Sequence, residues 1–424
     1  MNTPRFLAFQ SLLRCESGSR YSNLEINAVL DKNPLSQSDK GLYTALVYSV
    51  LEREMLLDYL LKDYLKMPIE RLDREVRVAL RLGAVQLYFF DKLPDHAVCD
   101  ETVELIKNSK KRSATGLVNA VLRSLVRDKD KNTEKIANAP LNVRYSMPEW
   151  IVDLWTKDYG EERALAILEG FSKKPPLTLR VNALKITPEE LYRALKDKNI
   201  QCDVKDDMIV LDTGVDPERL YGFEEGLFFV QGTASSLAVK SLAPIPESVV
   251  VDTCACPGGK SFAAALSLGN KGKIYSFDLH KSKLGLIEKG AERLGISIIE
   301  VESHDARESF GELEEKADYV ICDVPCSGLG VISKKPDIRS KKREDIERLP
   351  EIQYAILENS VKLLKCGGRL LYSTCTLNKD ENERVTDRLL EAHPELERAE
   401  GYPVTYFPDG ESEDGFFTDI IVRK

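Results

Sequence analysis

The sequence predicts a multidomain protein in which an all-α front part precedes a small α+β segment and a larger α/β domain. The chain has 424 residues, which is long for one domain. Apolar residues recur at spacings of three and four through about the first 130 residues, as amphipathic helices require. From Ser248 onward, β-branched runs alternate with helical patterns, which favours a mostly parallel, doubly wound sheet with helices on both faces.

The composition, 43% hydrophobic and 30% charged, is typical of a globular protein. No apolar run reaches the ~18 residues of a membrane span, and the N-terminus lacks the order of a signal peptide, so we expect no membrane association. Nine cysteines without framework spacing indicate reduced thiols and a cytoplasmic location. The formal net charge is −9, but residues 1–140 carry 22 Lys+Arg against 19 Asp+Glu, so nucleic-acid contacts are expected in front.

Six segments of the front part carry the helical spacing, and they define a predicted domain over residues 1–130. The predicted helices are 6–13, 42–51, 56–65, 76–90, 100–106 and 117–126. Lys110-Lys111-Arg112 either contacts phosphates or forms a solvated helix flank. Residues 128–138 are charged and poor in large apolar side chains, which predicts a linker.

Three short motifs within these helices resemble the NusB-type RNA-binding domain. They are Arg81–Leu87 (RLGAVQL), Pro94–Ala97 (PDHA) and Leu117–Arg123 (LVNAVLR). The resemblance covers about the first 130 residues. It implies an all-α domain that binds RNA.

The order of helical and strand patterns predicts a compact α+β subdomain over residues 140–230. Ser146 is expected to cap its first helix, which the chain enters near Pro148. Arg180 and Asn182 either contact RNA backbone or are surface or structural groups. The predicted elements are a helix through Trp155, a strand over 175–182, a helix over 187–197 and a strand over 208–211.

The α/β domain is predicted over residues 231–424. Its first strand, Val249–Asp252, leads through Pro257-Gly258-Gly259 into a helix that starts at Lys260. A glycine turn between a buried strand and a helix N-terminus is where open α/β sheets bind ligands. The other strands are predicted over 273–278, 298–301, 318–323, 368–373 and 415–422, with helices over 281–294, 346–364 and 378–390.

Acidic residues end or follow the first three predicted strands: Asp252, Asp278 and Asp305. An acid at the second strand can accept both hydroxyls of a ribose, and one at the third can reach an adenine amino group. The alternative is that the three acids only form turns. The chain has neither G-x-G-x-x-G nor a Walker pattern here, so neither NAD nor ATP is the favoured ligand.

Two cysteines lie at the ends of the next strands. Cys326 follows Asp323 at the fourth strand, and Cys375 follows the fifth. Both therefore face the ligand crevice of a doubly wound sheet. Buried core thiols and a zinc site are the alternatives, but C-x-x-C pairs do not occur, and Cys254-Ala255-Cys256 is too closely spaced for a zinc knuckle. No metal is expected.

The strand-end motifs 254–260 (CACPGGK), 323–328 (DVPCSG) and 373–376 (STCT) resemble the signature motifs of RNA 5-methylcytosine methyltransferases. With the NusB-like front part, nearly the whole chain resembles the bacterial RsmB/Sun family. That resemblance implies a Rossmann-like class I domain that uses S-adenosylmethionine to methylate C5 of a cytosine in 16S rRNA. It also implies a cytoplasmic protein, and we expect a monomer.

The resemblance assigns roles to individual residues. Cys375 is the nucleophile that adds to C6 of the cytosine, Cys326 serves release of the product, and Asp323 holds or protonates N3. The residues that it assigns to the cofactor are Cys254, Ala255, Cys256, Pro257, Gly258, Gly259, Lys260, Asp278, Asp305 and Asp323.

The chain departs from the family pattern in a few places and leaves two other functions open. Cys256, Val324, Gly232 and Lys335 replace residues that are more usual in the family. A non-catalytic RNA-binding or antitermination-type factor is one alternative, and a 5-methylcytosine methyltransferase of another RNA such as tRNA is a second. A methyltransferase of exocyclic amines is disfavoured by its different strand-end motif. The basic residues over 334–343 either bind RNA phosphates or form a solvated loop.

Overall fold

The computed structural model describes residues 3–17, 22–211, 215–410 and 412–424. The chain forms two compact units. The first comprises Met1–Asp153 together with Ile332–Lys341, and the second comprises Leu154–Val331 together with Lys342–Lys424. A ten-residue segment from late in the chain therefore belongs to the first unit.

The first unit is helical, as predicted, and its core is apolar. Helix α5 contributes the most buried positions, including the polar residues Arg81 and Gln86. Thr3 and Ser36 cap α1 and α3 by accepting hydrogen bonds from main-chain N–H groups. The helices are α1 (Pro4–Glu16), α2 (Ser22–Lys32), α3 (Gln37–Glu52), α4 (Glu54–Leu61), α5 (Arg74–Phe89), α6 (Asp95–Lys107), α7 (Thr115–Arg127), α8 (Lys129–Ala137), α9 (Leu141–Arg144) and α10 (Glu149–Tyr159), which continues into the second unit.

The linker predicted over residues 128–138 is wrong, because this stretch forms α8. Asn132 is buried and donates from Nδ2 to the hydroxyls of Tyr64 at 2.9 Å and Tyr88 at 2.7 Å. Lys135 pairs with Asp63 at 2.6 Å. The helix docks through polar groups, and the absence of large apolar residues therefore misled the prediction.

The predicted cap at Ser146 is also wrong. Helix α10 begins at Glu149, and Ser146 adopts a left-handed conformation with φ of 46°. Its buried hydroxyl accepts a hydrogen bond of 3.1 Å from the amide of Leu56. That amide lies in the first turn of α4, where N–H groups have no acceptor within the helix.

The second unit opens with α11 (Glu161–Ser172) and a small antiparallel sheet. Strand order is β2–β3–β1–β4, and α12 (Pro188–Asp197) starts with a capping box in which Thr187 and Glu190 satisfy each other's main chain. The strands are β1 (Leu177–Val181), β2 (Cys202–Lys205), β3 (Met208–Leu211) and β4 (Phe228–Val230).

Arg180 and Asn182 prove to be structural groups of this subdomain. The Arg180 guanidinium is buried, pairs with Asp207 at 2.9 Å and donates to Ser236. Asn182 is fully buried and donates from Nδ2 to the carbonyls of Gly226 at 2.8 Å and Leu294 at 2.9 Å. Neither side chain is available to RNA backbone, so the structural alternative applies.

The rest of the second unit is the predicted doubly wound domain. Its strand order is β10–β12–β9–β8–β5–β6–β7, with β11 paired to β12. The five strands from β7 to β9 in this order are parallel, and β12 runs antiparallel to β9. The strands are β5 (Val249–Asp252), β6 (Lys273–Asp278), β7 (Ile299–Ser303), β8 (Ala317–Asp323), β9 (Leu364–Thr374), β10 (Leu396–Arg398), β11 (Val404–Tyr406) and β12 (Phe416–Arg423).

Helices cover both faces of this sheet and bury a separate apolar cluster on each. The chain turns from β5 toward β6 and β7 on one side and later adds β8 and β9 on the other, so the strand order switches between β5 and β8. Ligands of such sheets bind outside the carboxyl ends at the switch. The helices are α13 (Thr233–Leu242), α14 (Gly259–Ser267), α15 (Leu284–Leu294), α16 (Leu349–Ser360) and α17 (Glu383–Ala392). None of the helices in the described ranges is long and apolar enough to cross a membrane.

Candidate active site

The turn between β5 and α14 depends on a glycine. Gly258 has φ of 114°, a conformation that residues with a side chain rarely adopt. A Cβ at this position would also lie 2.5 Å from the ring of Phe262. The turn brings the free N–H groups of the first turn of α14 to the carboxyl end of β5. At Gly259 a Cβ would meet only the amide nitrogen of Gln231, at 3.8 Å, so space remains beside the main chain.

Asp278 connects the end of β6 to this turn. Its Oδ2 accepts from the amide of Cys256 at 3.3 Å and its Oδ1 accepts from the amide of His280 at 2.9 Å. The main chain of Ala255 donates to Phe277 at 2.7 Å, which fixes the turn against the same strand. The predicted turn residues and the second strand-end acid therefore lie together.

The two turn cysteines do not have the environment of nucleophiles. Burial raises the pKa of the Cys254 thiol well above its usual value. Burial, followed by the nearby Asp278 carboxylate, raises the pKa of Cys256 to about 12. Because only a thiolate is a strong nucleophile, neither residue is suited to attack a substrate, and their predicted contacts with the cofactor stay predictions.

Asp305 lies two residues beyond the end of β7, and its carboxylate is held by Arg307. The closest of these contacts joins Arg307 Nη2 to Oδ2 at 2.5 Å. The hydrogen bonds from Arg307 lower the pKa of Asp305 to about 2. Its predicted contact with an adenine stays a prediction.

Asp323 ends β8 directly beside Ser373 of the parallel strand β9. Its Oδ1 accepts from the Ser373 hydroxyl at 2.7 Å, and its Oδ2 pairs with Lys260 Nζ at 2.6 Å. Lys260 also lies 5.1 Å from the ring centroid of Phe416. Lys260, which was predicted for the cofactor turn only, thus links that turn to the predicted catalytic carboxylate. Its position after two glycines gave no signal of this contact.

Cys326 and Cys375 lie side by side, with their sulfur atoms 3.0 Å apart and both residues half-buried. The hydrogen bond to the Cys375 sulfur, followed by burial, raises the pKa of Cys326 well above its usual value. Cys326 is therefore held as a neutral thiol whose S–H can donate to the Cys375 sulfur.

The loops that carry the two cysteines are tied together by main-chain bonds. Gly330 donates to the carbonyl of Cys375 at 2.9 Å and accepts from the amide of Gly415 at 2.7 Å. A Cβ on Gly330 would collide with the carbonyl of Gly415, so the approach requires a glycine. The hydroxyls of Ser327 and Thr376 are 2.6 Å apart. Sequence reasoning missed Ser327 and Gly330 as partners of the Cys375 loop.

Within the basic stretch 334–343, Arg339 is not available to phosphates. Its Nη1 donates to the carbonyl of Ile332 at 3.2 Å, and burial lowers the pKa of its guanidinium to about 10. Asp337 accepts from the main-chain N and from Oγ of Ser22, the latter at 2.6 Å. Lys335, Lys342 and Arg343 are exposed, so the hypothesis of phosphate contacts is kept for them.

Three segments of the chain match models of known protein families. Residues 239–421 match the model of the 16S rRNA methyltransferase RsmB/F family, residues 2–127 match the NusB family, and residues 147–217 match the ferredoxin-like domain of RsmF/B-like methyltransferases. The probable ribosomal RNA small subunit methyltransferase B of Bacillus subtilis (strain 168) is 38% identical over 93% of this chain and 89% of that protein. The ribosomal RNA small subunit methyltransferase B of Proteus mirabilis is 31% identical over 93% of each chain.

The chain belongs to the ribosomal RNA small subunit methyltransferase B family. The predicted family, fold class and S-adenosylmethionine-dependent methyltransferase activity are thereby confirmed. Among solved structures, PH0851 aligns over 99% of both chains with a TM-score of 0.82 and 25% identity. A methyltransferase homologue from Pyrococcus horikoshii aligns over 67% of this chain and 98% of its own, with a TM-score of 0.60 and 28% identity.

The turn fits the cofactor of this family. Gly258 and Gly259 leave main chain open to a ligand, and the N-terminus of α14 favours a carboxylate such as that of the methionine part. Asp278 stands at the end of β6, where a carboxylate can accept from ribose hydroxyls. In this member of the methyltransferase B family, Gly258, Gly259 and Asp278 are therefore the residues that would hold S-adenosylmethionine.

Proposed function

We propose that this protein methylates C5 of a cytosine in small-subunit (16S) rRNA through a covalent bond between Cys375 and C6. The observation that carries the proposal is the pair of sulfur atoms, 3.0 Å apart, next to the strand that ends at Asp323. The names of the relatives support the rRNA substrate. The division into an RNA-binding front domain (1–130), a small α+β RNA-binding subdomain (140–230) and a catalytic domain (231–424) forms part of this proposal, as do a monomeric state and a cytoplasmic location.

Each residue of the pair has a separate task. C5 of cytosine is a poor nucleophile, and addition of the Cys375 thiolate to C6 makes the ring enamine-like. Asp323, oriented by Lys260 and Ser373, holds or protonates N3 and so stabilises the charge that develops as the thiolate adds. Bound S-adenosylmethionine would supply the methyl group from its sulfonium.

Release completes the cycle. After C5 carries the methyl group, it must lose its proton, and the electron pair of that C–H bond expels the Cys375 thiolate from C6. At this stage the Cys326 thiolate, formed by loss of its own proton to solvent, accepts the C5 proton. The neutral state favoured for the Cys326 thiol in the free protein supports its assignment to this late step, because a thiol does not compete with Cys375 for C6.

The test uses single cysteine variants and 16S rRNA as substrate. Cys375→Ala is expected to give neither methylated RNA nor a covalent complex. Cys326→Ala is expected to transfer one methyl group and then remain bonded to the RNA, visible as a denaturation-resistant band that the double variant lacks. Cys366→Ala, which changes an exposed cysteine of β9, is the matched control and should turn over like the unmodified enzyme.

The outcomes separate the alternatives. A covalent band with Cys375→Ala would reverse the two roles. Full activity of both variants would refute the covalent mechanism, and modification of tRNA but not 16S rRNA would change the substrate. A protein that binds RNA yet never methylates it would be the non-catalytic factor.

A further inference from the structure

A buried carboxylate, that of Glu381, is hydrogen-bonded to the main chain next to Cys326. Glu381 follows Cys375 by six residues and is fully buried. Its Oε2 accepts from the amide of Ser327 at 2.8 Å and from Nε2 of Gln353 at 2.9 Å. Its Oε1 accepts from Nδ2 of Asn378 at 2.9 Å. The side chain is thus surrounded by three neutral donors.

Gln353, on α16, completes the arrangement. It is fully buried, and its Nε2 also donates to the carbonyl of Pro325 at 3.0 Å. Pro325 and Ser327 are the two chain neighbours of Cys326. The main chain on each side of Cys326 is therefore held by the pair Glu381 and Gln353, which we call the Glu381–Gln353 clamp.

The chemistry of the clamp explains why a charge is kept in the interior. A buried carboxylate is unfavourable unless its oxygens are hydrogen-bonded. Glutamine has the same shape, but it would turn an N–H toward one of the three donors. Only a group that accepts at both oxygens satisfies Ser327, Gln353 and Asn378 together.

We propose that Glu381 and Gln353 are positioning residues that hold Cys326 against Cys375 for product release. The inference rests on the proposed function, because it assumes that Cys326 acts at this step. The negative charge of Glu381 also helps to raise the pKa of Cys326, which keeps that thiol neutral while Cys375 attacks. Both side chains are fully buried, so they would act on the cytosine only through Cys326.

The first test is Glu381→Gln in the full-length enzyme with 16S rRNA and S-adenosylmethionine. Steady-state turnover should fall by roughly 10- to 100-fold, as expected for a reacting group displaced by about 1 Å. The first methyl transfer should stay within a few-fold of the unmodified rate, so the covalent enzyme–RNA band should accumulate. Glu391→Gln, on the exposed face of α17, is the matched control and should change neither quantity.

A compensating change distinguishes positioning from general damage. In Asn378→Asp/Glu381→Gln, the amide of the new glutamine can donate to the new aspartate, and its carbonyl can still accept from Ser327 and Gln353. An aspartate oxygen can also keep the bond of 3.1 Å that Asn378 Oδ1 accepts from Asp380. The double variant should recover at least about ten-fold of the lost turnover, since the donor–acceptor pattern is restored.

The decisive comparison places Glu381→Gln in the Cys326→Ala background, where it should add nothing to the release defect. A further loss in that background, or turnover of Glu381→Gln at the unmodified rate, would overturn the clamp. If the unmodified enzyme and Cys326→Ala give neither methylated RNA nor adduct, the proposed function fails instead. Should Glu381→Gln unfold, Gln353→Met tests the same point: normal turnover by that folded variant would equally overturn the proposal.

Discussion

Two aspartates at neighbouring strand ends show how strongly a side chain's role depends on its partners. Asp323 pairs with Lys260 at 2.6 Å and accepts from the hydroxyl of Ser373 at 2.7 Å, so both of its oxygens are oriented by side chains at the strand ends. Asp252, at the end of β5, is fully enclosed and accepts from the hydroxyl of Ser261 at 2.7 Å. Burial raises the pKa of Asp252 to about 7. The partners of Asp323 orient it for the role proposed for it at N3, whereas Asp252 holds α14 against the sheet.

The raised pKa of Asp252 predicts a pH dependence of stability. Between about pH 4 and pH 7 the folded protein keeps a proton on Asp252 that the unfolded chain releases, so its contribution to stability falls as the pH rises through this window. Asp252→Asn lacks this titration. Denaturant unfolding near pH 5, 6 and 7 should show the variant gaining roughly 1 kcal/mol per pH unit relative to the unmodified protein. A difference that stays constant with pH would contradict the assignment.

Asn182 is predicted to matter for folding and not for RNA binding. Asn182→Ala leaves the carbonyls of Gly226 and Leu294 without their donor in a buried site, which should lower the free energy of unfolding by about 2–4 kcal/mol. The RNA affinity of the folded variant should be unchanged. Asn138→Ala, at an exposed position, is the control and should cost under about 1 kcal/mol. If the variant keeps its stability but loses RNA affinity, Asn182 contacts RNA and the structural interpretation is wrong.

At the scale of elements, the periodic spacing of apolar residues predicted those helices and strands that bury a large apolar face. The six front helices that were predicted and the strands from β5 to β9 lie where the sequence placed them, because each buries an apolar face, whereas α2 was not predicted. Strands β4, β10 and β11 have only three residues and were missed, and so was β2, which exposes three of its four residues, whereas the equally short but mostly buried β3 and β5 were predicted. The helix predicted over 346–364 is only α16, and the chain then passes through a 3₁₀ turn into β9.

The candidate site was predictable only in part. Motifs identified Cys326, Cys375 and Asp323, and the parallel register of β8 and β9 explains why they meet. The contact of Lys260 with Asp323 depends on β5 and β8 being neighbours, which is a property of the sheet and not of any local pattern. The role of Glu381 could not be predicted, because the sequence does not show whether a single glutamate is buried or exposed to solvent.

Helix α8 provides a test at this scale. Asn132→Ala removes the side-chain amide that donates to the hydroxyls of Tyr64 and Tyr88. These two hydrogen bonds hold α8, a helix with few buried apolar residues. We expect α8 to detach locally, so that limited proteolysis cleaves within residues 129–137 of the variant and spares the unmodified protein. Asn108→Ala, at the exposed end of α6, should leave the cleavage pattern unchanged. Resistance of the Asn132 variant would show that other contacts hold the helix.

At the scale of the whole molecule, the two units are connected more than once by the chain. The polypeptide enters the second unit after Asp153, leaves it after Val331 and returns at Lys342. Within the first unit, Ile332, Pro336 and Ile338 of this returning segment are buried. The segment starts only a few residues after Cys326, so the chain runs directly from the predicted catalytic loop into the helical unit.

Removal of residues 1–153 should therefore have two effects. The segment 332–341 loses the helices that bury it and should become a site of proteolytic cleavage, while S-adenosylmethionine binding persists because Gly258, Gly259 and Asp278 are retained. RNA affinity and its dependence on salt should both fall, since the removed part carries the basic excess. Calorimetry and filter binding measure the two ligands separately. Unchanged RNA affinity would make the front unit a structural support only.

The hydrogen bonds between Ser22 and Asp337 join residues 315 positions apart, and this separation has a consequence for synthesis on the ribosome. The helices of the first unit are all translated by Asp153, but its last segment follows about 190 residues later. At ~5–20 residues per second, the interval is on the order of 10–40 s. During that time the nascent helical unit exposes the apolar surface that Ile332 and Ile338 later cover. Chaperones that bind nascent chains would find this surface open until translation nears its end.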